Sequence, residues 1–173
     1  MNIKTIAIAI LAGYGIWYTA VGGRQLDERK VSALYGELYS AYAKEDEKAI
    51  CALYGDELAG GFTSRVRSPL VYADFTKAQA CASSGDFFRL KQQLETATGK
   101  TLYANVDLSI KSISISSDKK TATVDVLVEK RIGTPQELLF DMRATQTDVV
   151  QRDFGKAFFT RSEGTVNFYK SRP

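Results

Sequence analysis

Residues 34–62 read LYGELYSAYAKEDEKAICALYGDELAGGF and predict two amphipathic helices joined by a short charged turn. Apolar positions recur at intervals of three and four along the first helix and so share one face: Val31, Leu34, Tyr35, Leu38, Tyr39 and Tyr42. Asp46 is placed to cap the second helix, because its carboxylate can accept hydrogen bonds from the free N–H groups of the first turn. Gly55 would end that helix. The rest of the chain is expected to cover the apolar faces of this pair.

The second helix follows a tyrosine-rich helix and carries the pattern Asp46-x-x-Ala49-Ile50-x-x-Leu53-Tyr54-x-Asp56-Glu57. This pattern resembles the opening of the NTF2-like superfamily, which includes SnoaL and ketosteroid isomerase-like proteins. The resemblance covers residues 28–170. It implies an α+β fold in which N-terminal helices pack on a long, curved antiparallel sheet.

The periodicity along the remaining chain agrees with that layout. A short strand is predicted at residues 62–66, and helices over 72–83 and 87–99, separated by Ser84-Gly85-Asp86. From residue 102 onward, apolar and polar residues alternate and predict four strands. The alternation changes phase between Ile110 and Ile113, which predicts a β-bulge that bends the first of these strands. The sequence therefore favours helices on a curved sheet of four or more antiparallel strands, with a glycine hairpin at 153–155.

The first 23 residues differ from the rest, because they contain no acid and one base, Lys4. Residues 6–23 form a nearly continuous apolar run that at about 1.5 Å per residue reaches roughly 27 Å, which is marginal for spanning a bilayer core and long for the apolar region of a signal peptide. Trp17 and Tyr18 favour a retained anchor, since aromatic residues gather at membrane interfaces. The small residues at 20–22 favour a cleaved signal peptide, and a buried core helix is the third alternative.

This division gives a membrane anchor or signal peptide at residues 1–23 and one globular domain at 24–173. The domain is expected in the periplasm, held at a bacterial inner membrane, or periplasmic or secreted if the leader is cleaved. Cys51 and Cys81 suit such an oxidising compartment and are predicted to pair, with two free buried thiols as the alternative. The net charge of +3 is spread without a basic stripe, so nucleic-acid binding is not expected.

The composition limits the chemistry that the protein can perform. The chain has no histidine, which excludes Ser-His-Asp and Cys-His catalysis and histidine-ligated zinc sites. No cofactor or metal site is predicted. The resemblance implies a tyrosine on the first helix and an aspartate after the second as catalytic groups, but an ungapped match puts Leu38 and Phe62 at those positions. No catalytic residue is predicted.

Three functions remain as hypotheses. The first is a non-enzymatic, membrane-anchored periplasmic domain that acts through protein contacts, with a protein partner or a second copy of the chain. The second is binding of a small apolar ligand in a pocket of the cone, with Tyr39, Tyr54, Asp141 and Arg143 as candidate lining residues. The third is an isomerase or lyase that uses Asp and Tyr alone, which a buried carboxylate beside a tyrosine in a deep pocket would favour.

Overall fold

A computed structural model of the protein describes residues 25–64 and 72–169. Within these ranges the helices are α1 (Glu28–Ala43), α2 (Glu47–Ala52) and α3 (Lys77–Thr98), and the strands are β1 (Tyr54–Ser64), β2 (Phe75–Thr76), β3 (Tyr103–Ile115), β4 (Thr121–Gly133), β5 (Leu138–Asp153) and β6 (Lys156–Tyr169). The predicted membrane segment, residues 6–22, lies outside the described ranges. None of the helices described is both long and apolar enough to cross a bilayer.

The helix starts follow from their capping residues. The Asp27 carboxylate accepts a hydrogen bond from the Lys30 backbone N–H at 2.9 Å, and Asp46 accepts one from that of Ala49 at 2.9 Å. The cap predicted at Asp46 is therefore confirmed. The apolar stripe of α1 is buried except at Tyr39, which was predicted within it but is 48% exposed. Tyr39 lies at the rim of the stripe, about 100° around the helix from its neighbour Leu38.

Two predicted boundaries are wrong. The second helix ends at Ala52 rather than at Gly55, because residues 54–64 form β1, which pairs in parallel with β6. Residues 62–64 of the strand predicted at 62–66 are thus the end of a longer strand, and residues 65–66 lie outside the described ranges. The two helices predicted either side of residues 84–86 are one helix, α3, in which Gly85 is buried. The Ser84 hydroxyl donates to the Ala80 carbonyl within this helix instead of starting a new one.

The sheet has the order β2-β1-β6-β5-β4-β3. Ile110 pairs with Val126 and Ser112 with Asp125, so Lys111 is an extra residue and the predicted bulge is confirmed. The β5–β6 hairpin turns at Phe154 and Gly155, both with positive φ, as predicted for the glycine. The fold is therefore α+β, with N-terminal helices on a six-stranded, mostly antiparallel sheet.

The helices pack on one face of this sheet, called here the inner face, and the opposite face is the outer face. Alternate residues of β4 and β5 point inward, among them Val126, Val128, Met142 and Ala144. Helix α2 is tied to α3 by Cys51 and Cys81, which lie at disulfide distance with Cα atoms 5.3 Å apart. The space between the helices and the inner face is not completely filled, and it forms the candidate site.

Candidate functional site

A cavity lies between the helices and the inner face of the sheet. Water-sized molecules can reach about 130 Å³ of it, and its empty space is about 900 Å³ when the open mouth is included. Its walls are mainly apolar and include Leu38, Leu58, Phe62, Leu108, Met142 and Phe159. Two polar clusters interrupt these walls, one around Asp148 and one around Lys130.

The first cluster is centred on Asp148, which is 2% exposed. Its Oδ2 accepts a hydrogen bond from the Tyr35 hydroxyl at 2.6 Å, and its Oδ1 accepts one from the Ser162 hydroxyl at 2.6 Å. The Gln146 amide donates to both oxygens, at 3.0 and 3.1 Å. A carboxylate has about four acceptor positions, so protein donors occupy all those of Asp148.

The electrostatics of this cluster are governed by burial. Burial raises the pKa of Asp148, and the hydrogen bonds from Ser162, Tyr35 and Gln146 offset that effect only in part. Burial likewise raises the pKa of Tyr35, and the neighbouring negative charge of Asp148 raises it further. Tyr35 therefore remains a neutral hydrogen-bond donor at any physiological pH.

The second cluster is centred on Lys130, a residue of β4 that lines the cavity. Its Nζ donates to the Tyr42 hydroxyl at 3.1 Å and lies 4.8 Å from the centroid of the Tyr42 ring and 5.3 Å from that of Phe87. The Tyr42 and Ser84 hydroxyls are 3.2 Å apart, and Ser84 donates to the Ala80 carbonyl. Either hydroxyl can be the donor in the Tyr42–Ser84 contact, so Lys130, Tyr42 and Ser84 form one connected hydrogen-bond network.

Lys130 also changes the acidity of Tyr42, the buried tyrosine that it contacts. Burial alone would raise the pKa of Tyr42, but the charge of Lys130 and the hydrogen bonds from Ser84 and Lys130 outweigh it, and the pKa is lowered. Tyr54, at the start of β1, has its pKa raised by burial and by its interaction with Tyr42. The positive charge of Lys130 thus lowers the pKa of Tyr42, whose hydroxyl it contacts.

The structure places the four residues predicted to line a pocket in three separate parts of the molecule. Tyr54 lines the cavity, whereas Tyr39, Asp141 and Arg143 do not. Tyr39 is exposed on α1. Asp141 and Arg143 lie on the outer face, because alternation along β5 directs Met142 and Ala144 inward. There Arg143 forms ion pairs with Asp141 at 3.5 Å and Glu129 at 3.4 Å, and its guanidinium lies 4.9 Å from the Tyr169 ring centroid.

The two positions at which the resemblance implies catalytic groups lie in the cavity wall. Leu38 of α1 and Phe62 of β1 both contribute to it, and Phe62 stacks on Phe75 with ring centroids 5.7 Å apart. Neither side chain can donate or accept a proton. The structure therefore presents an apolar surface where those relatives would carry a tyrosine and an aspartate.

Sequence reasoning missed Asp148, Lys130, Tyr35 and Tyr42 as residues of the site. The β4 pattern contained a usable signal, since Lys130 stands in a series that is otherwise apolar: Ala122, Val124, Val126, Val128 and Ile132. Asp148 had no such signal, because it follows polar residues that resemble a solvated strand. No group of three or more Cys, Asp or Glu side chains within residues 25–64 and 72–169 is arranged to hold a metal ion.

No protein-family model and no curated protein matches the sequence. The fold, in contrast, is similar to solved structures. A conserved protein from Planctomyces limnophilus DSM 3776 is 14% identical with a TM-score of 0.60, over 83% of this chain and 98% of that protein. A ketosteroid isomerase-like protein from Erwinia carotovora atroseptica SCRI1043 is 14% identical with a TM-score of 0.53, over 84% of this chain and 99% of that one.

An NTF2-like protein from Cytophaga hutchinsonii ATCC 33406 is 16% identical with a TM-score of 0.51, over 81% of this chain and 98% of that one. At these identities the likeness concerns the fold alone. The predicted NTF2-like fold is confirmed.

Proposed function

Starting from an NTF2-like fold with a partly open apolar cavity, we propose that this protein binds a small, mainly apolar molecule between its helices and its sheet. The observation that carries the proposal is the composition of the cavity wall, in which apolar side chains surround a few polar groups. Binding sites for small molecules have this character, because apolar walls supply affinity and a few polar groups fix orientation.

The size of the cavity limits its occupant. An engineered cavity of about 150 Å³ in a protein core takes up benzene. The space of about 130 Å³ that water-sized molecules can reach is similar, so one ring or a short branched chain would fill it, with any longer part in the mouth. Steroid-sized molecules would need the side chains around Leu38 and Phe62 to move.

The Tyr35–Asp148 pair is the one feature that favours the enzyme hypothesis, since it joins a buried carboxylate to a tyrosine at a deep pocket. A general base must direct a free acceptor at the proton that it abstracts. Asp148 would first have to release Tyr35, Ser162 or Gln146. We therefore assign the pair to holding α1 on the sheet, and we propose binding without chemical conversion.

Action through protein contacts, at a membrane and in the periplasm, remains a second proposal. The outer face supports it through a row of charged side chains, in which Arg131 pairs with Asp107 at 2.6 Å and with Glu129 at 2.7 Å. One oxygen of Asp141 in the same row is buried and has no hydrogen-bond partner among residues 25–64 and 72–169. Light scattering of the protein tests this proposal, because a strict monomer at high concentration would contradict self-association.

Ligand binding is tested first with the protein as its host makes it. Native mass spectrometry of freshly purified protein is expected to show a retained small molecule that denaturation releases. Ligand-observed NMR with benzyl alcohol, a neutral ring with one polar group, then tests the cavity directly.

A matched pair of variants locates the binding. Ala144→Leu fills the cavity from β5, whereas Thr145→Leu adds the same side chain on the outer face of the same strand. We expect the first to abolish benzyl alcohol binding and the second to leave it unchanged. Absence of binding to the wild type, or equal binding to Ala144→Leu, would overturn the proposal.

A further inference from the structure

Lys130 occupies a position where the fold calls for an apolar side chain. It belongs to the inward-facing series of β4, whose other members Val126, Val128 and Ile132 are buried. A lysine is rarely placed on the inner side of a sheet, because its ammonium loses hydration there unless another group compensates. The compensation in this structure comes from one hydroxyl and two aromatic rings.

No carboxylate compensates the charge of Lys130. Within residues 25–64 and 72–169, no Asp or Glu oxygen lies within 4 Å of its Nζ. The neighbouring acidic residues of β4 and β5, Glu129 and Asp141, instead pair with arginines on the outer face. The cavity therefore contains a cation whose counter-charge the described chain does not supply at contact distance.

The ammonium also has hydrogen-bond donors to spare. Of its three N–H groups, one donates to Tyr42, and the described residues supply no further acceptor. The buried Tyr42 hydroxyl is already engaged with both Lys130 and Ser84. A ligand at this end of the cavity would thus meet a positive donor.

The other end of the cavity carries an acidic group, Asp148, in place of a cation. Tyr35, which holds Asp148, and Tyr42, which holds Lys130, are seven residues apart on α1, or about 10 Å along the helix. Asp148 has no free acceptor position for a ligand donor, and its negative charge when ionised would repel an anion. An anionic ligand would therefore be oriented with its charge at Lys130 and its apolar body against the remaining wall.

From this arrangement we infer that the ligand is a small apolar monocarboxylate whose carboxylate pairs with Lys130. The inference rests on the proposed binding function and specifies its ligand class. Charge-assisted hydrogen bonds between ammonium and carboxylate are stronger than neutral ones, and more so away from bulk water. A carboxylate also replaces the counter-charge that the cavity lacks, which a neutral ligand of the same shape cannot do.

The test compares two probes of similar size on the full-length protein. Benzoate carries the carboxylate, and benzyl alcohol is its neutral counterpart. Dissociation constants are measured by ligand-observed NMR at neutral pH for the wild type and for Lys130→Met, Lys130→Arg and Lys111→Met. Lys111 is the exposed bulge residue of the adjacent strand, and its replacement removes the same charge outside the cavity.

We expect the wild type to bind benzoate at least about tenfold more tightly than benzyl alcohol. Lys130→Met should lose about tenfold or more in benzoate affinity and lose less affinity for benzyl alcohol, because the neutral hydroxyl makes a weaker hydrogen bond with the ammonium than a carboxylate does. Lys130→Arg should still prefer benzoate over benzyl alcohol, since it keeps a positive charge in the cavity. Lys111→Met should stay within about threefold of the wild type for benzoate.

Three outcomes would overturn the inference. If the wild type binds both probes equally, or benzyl alcohol only, the carboxylate assignment is wrong while the binding function stands. If Lys111→Met loses as much benzoate affinity as Lys130→Met, the loss reflects the net charge of the protein and not a contact between the carboxylate and Lys130. If neither probe binds, both the inferred ligand class and the proposed binding function are wrong. If Lys130→Met does not fold, the ratio of the dissociation constants of benzoate and benzyl alcohol, measured for the wild type and for Lys130→Arg, tests the carboxylate assignment.

Discussion

The Tyr35 hydroxyl donates a 2.6 Å hydrogen bond to Asp148 Oδ2 and so joins helix α1 to strand β5 across 113 residues of chain. The Tyr35 ring also packs edge-to-face on Phe159 of β6, with centroids 5.2 Å apart. One side chain thus connects the first helix to both of the last two strands.

Removing this hydroxyl is expected to destabilise the domain. Tyr35→Phe keeps the ring but leaves a buried carboxylate short of one donor, which costs about 1.5–3 kcal/mol when the acceptor is charged. Urea unfolding at neutral pH measures the loss. Tyr39→Phe is the matched control on the same helix, and because Tyr39 is exposed we expect a change within about 0.5 kcal/mol. Equal effects of the two changes would contradict the role assigned to Tyr35.

Asp148 should give stability an unusual pH dependence. Since burial raises its pKa in the folded state, the folded protein holds this proton more tightly than the unfolded chain, in which the pKa is about 3.9. Its contribution is therefore fully present below about pH 3.9 and is lost as pH rises through the folded-state pKa. We expect the free energy of unfolding of the wild type, relative to that of Asp148→Asn, to fall over this interval.

Urea unfolding of both proteins between pH 3.5 and about 7 measures that difference. Comparison with the variant is necessary because other carboxylates act in the opposite direction. The pKa of Asp56, for example, is lowered by its hydrogen bond to Lys77 and by the positive charge of that lysine. A difference that rises with pH would show that the hydrogen bonds to Asp148 outweigh its burial.

The cysteine pair should stabilise the helical layer. Cys51 and Cys81 close a loop with a sequence separation of 30, for which the chain-entropy model gives about 3.5 kcal/mol. We expect Cys51→Ala/Cys81→Ala to lose that amount in urea unfolding without reductant. Wild type treated with reductant should approach the double variant. Equal stability of the oxidised wild type and the variant would argue against a stabilising disulfide.

The N-terminal segment is predicted to be retained as a membrane anchor. The intact mass of protein purified from host membranes is then expected to match the full chain of 19.1 kDa with one disulfide. A mass that lacks the first 22 residues, in protein recovered from the soluble fraction, would show cleavage instead. The same spectrum reports the oxidation state of the cysteines.

Local signals predicted much of the fold. Asp46 as a helix cap, Gly155 in the hairpin and the extra residue near Ile110 each depend on neighbours in sequence, and the structure confirms all three. Only the end of strand β1 was predicted, and the rest was missed because its sequence, YGDELAGGFTS, does not alternate. Its pairing with β6, about 100 residues away, decides its conformation. A local pattern cannot reveal such a partner.

The site was less predictable than the fold for a similar reason. Tyr35 and Tyr42 were identified as core residues of α1, but their partners Asp148 and Lys130 come from two different strands. Asp141 and Arg143 were proposed together on chemical grounds, although the alternation along β5 already placed them on the opposite face of the sheet from Met142. Lys130 could have been found by asking which inward position of an apolar series was charged.

The bulge at Lys111 has a consequence for how this cavity can vary. Lys111 is exposed and does not line the cavity, and a bulge of this kind bends its strand, which also carries the lining residue Leu108. We therefore expect the pairing of β3 with β4 to shape the cavity together with the lining side chains. Substitutions at lining residues such as Leu108 or Met142 are then expected to change which molecules the cavity accepts, while the backbone around the cavity keeps its course.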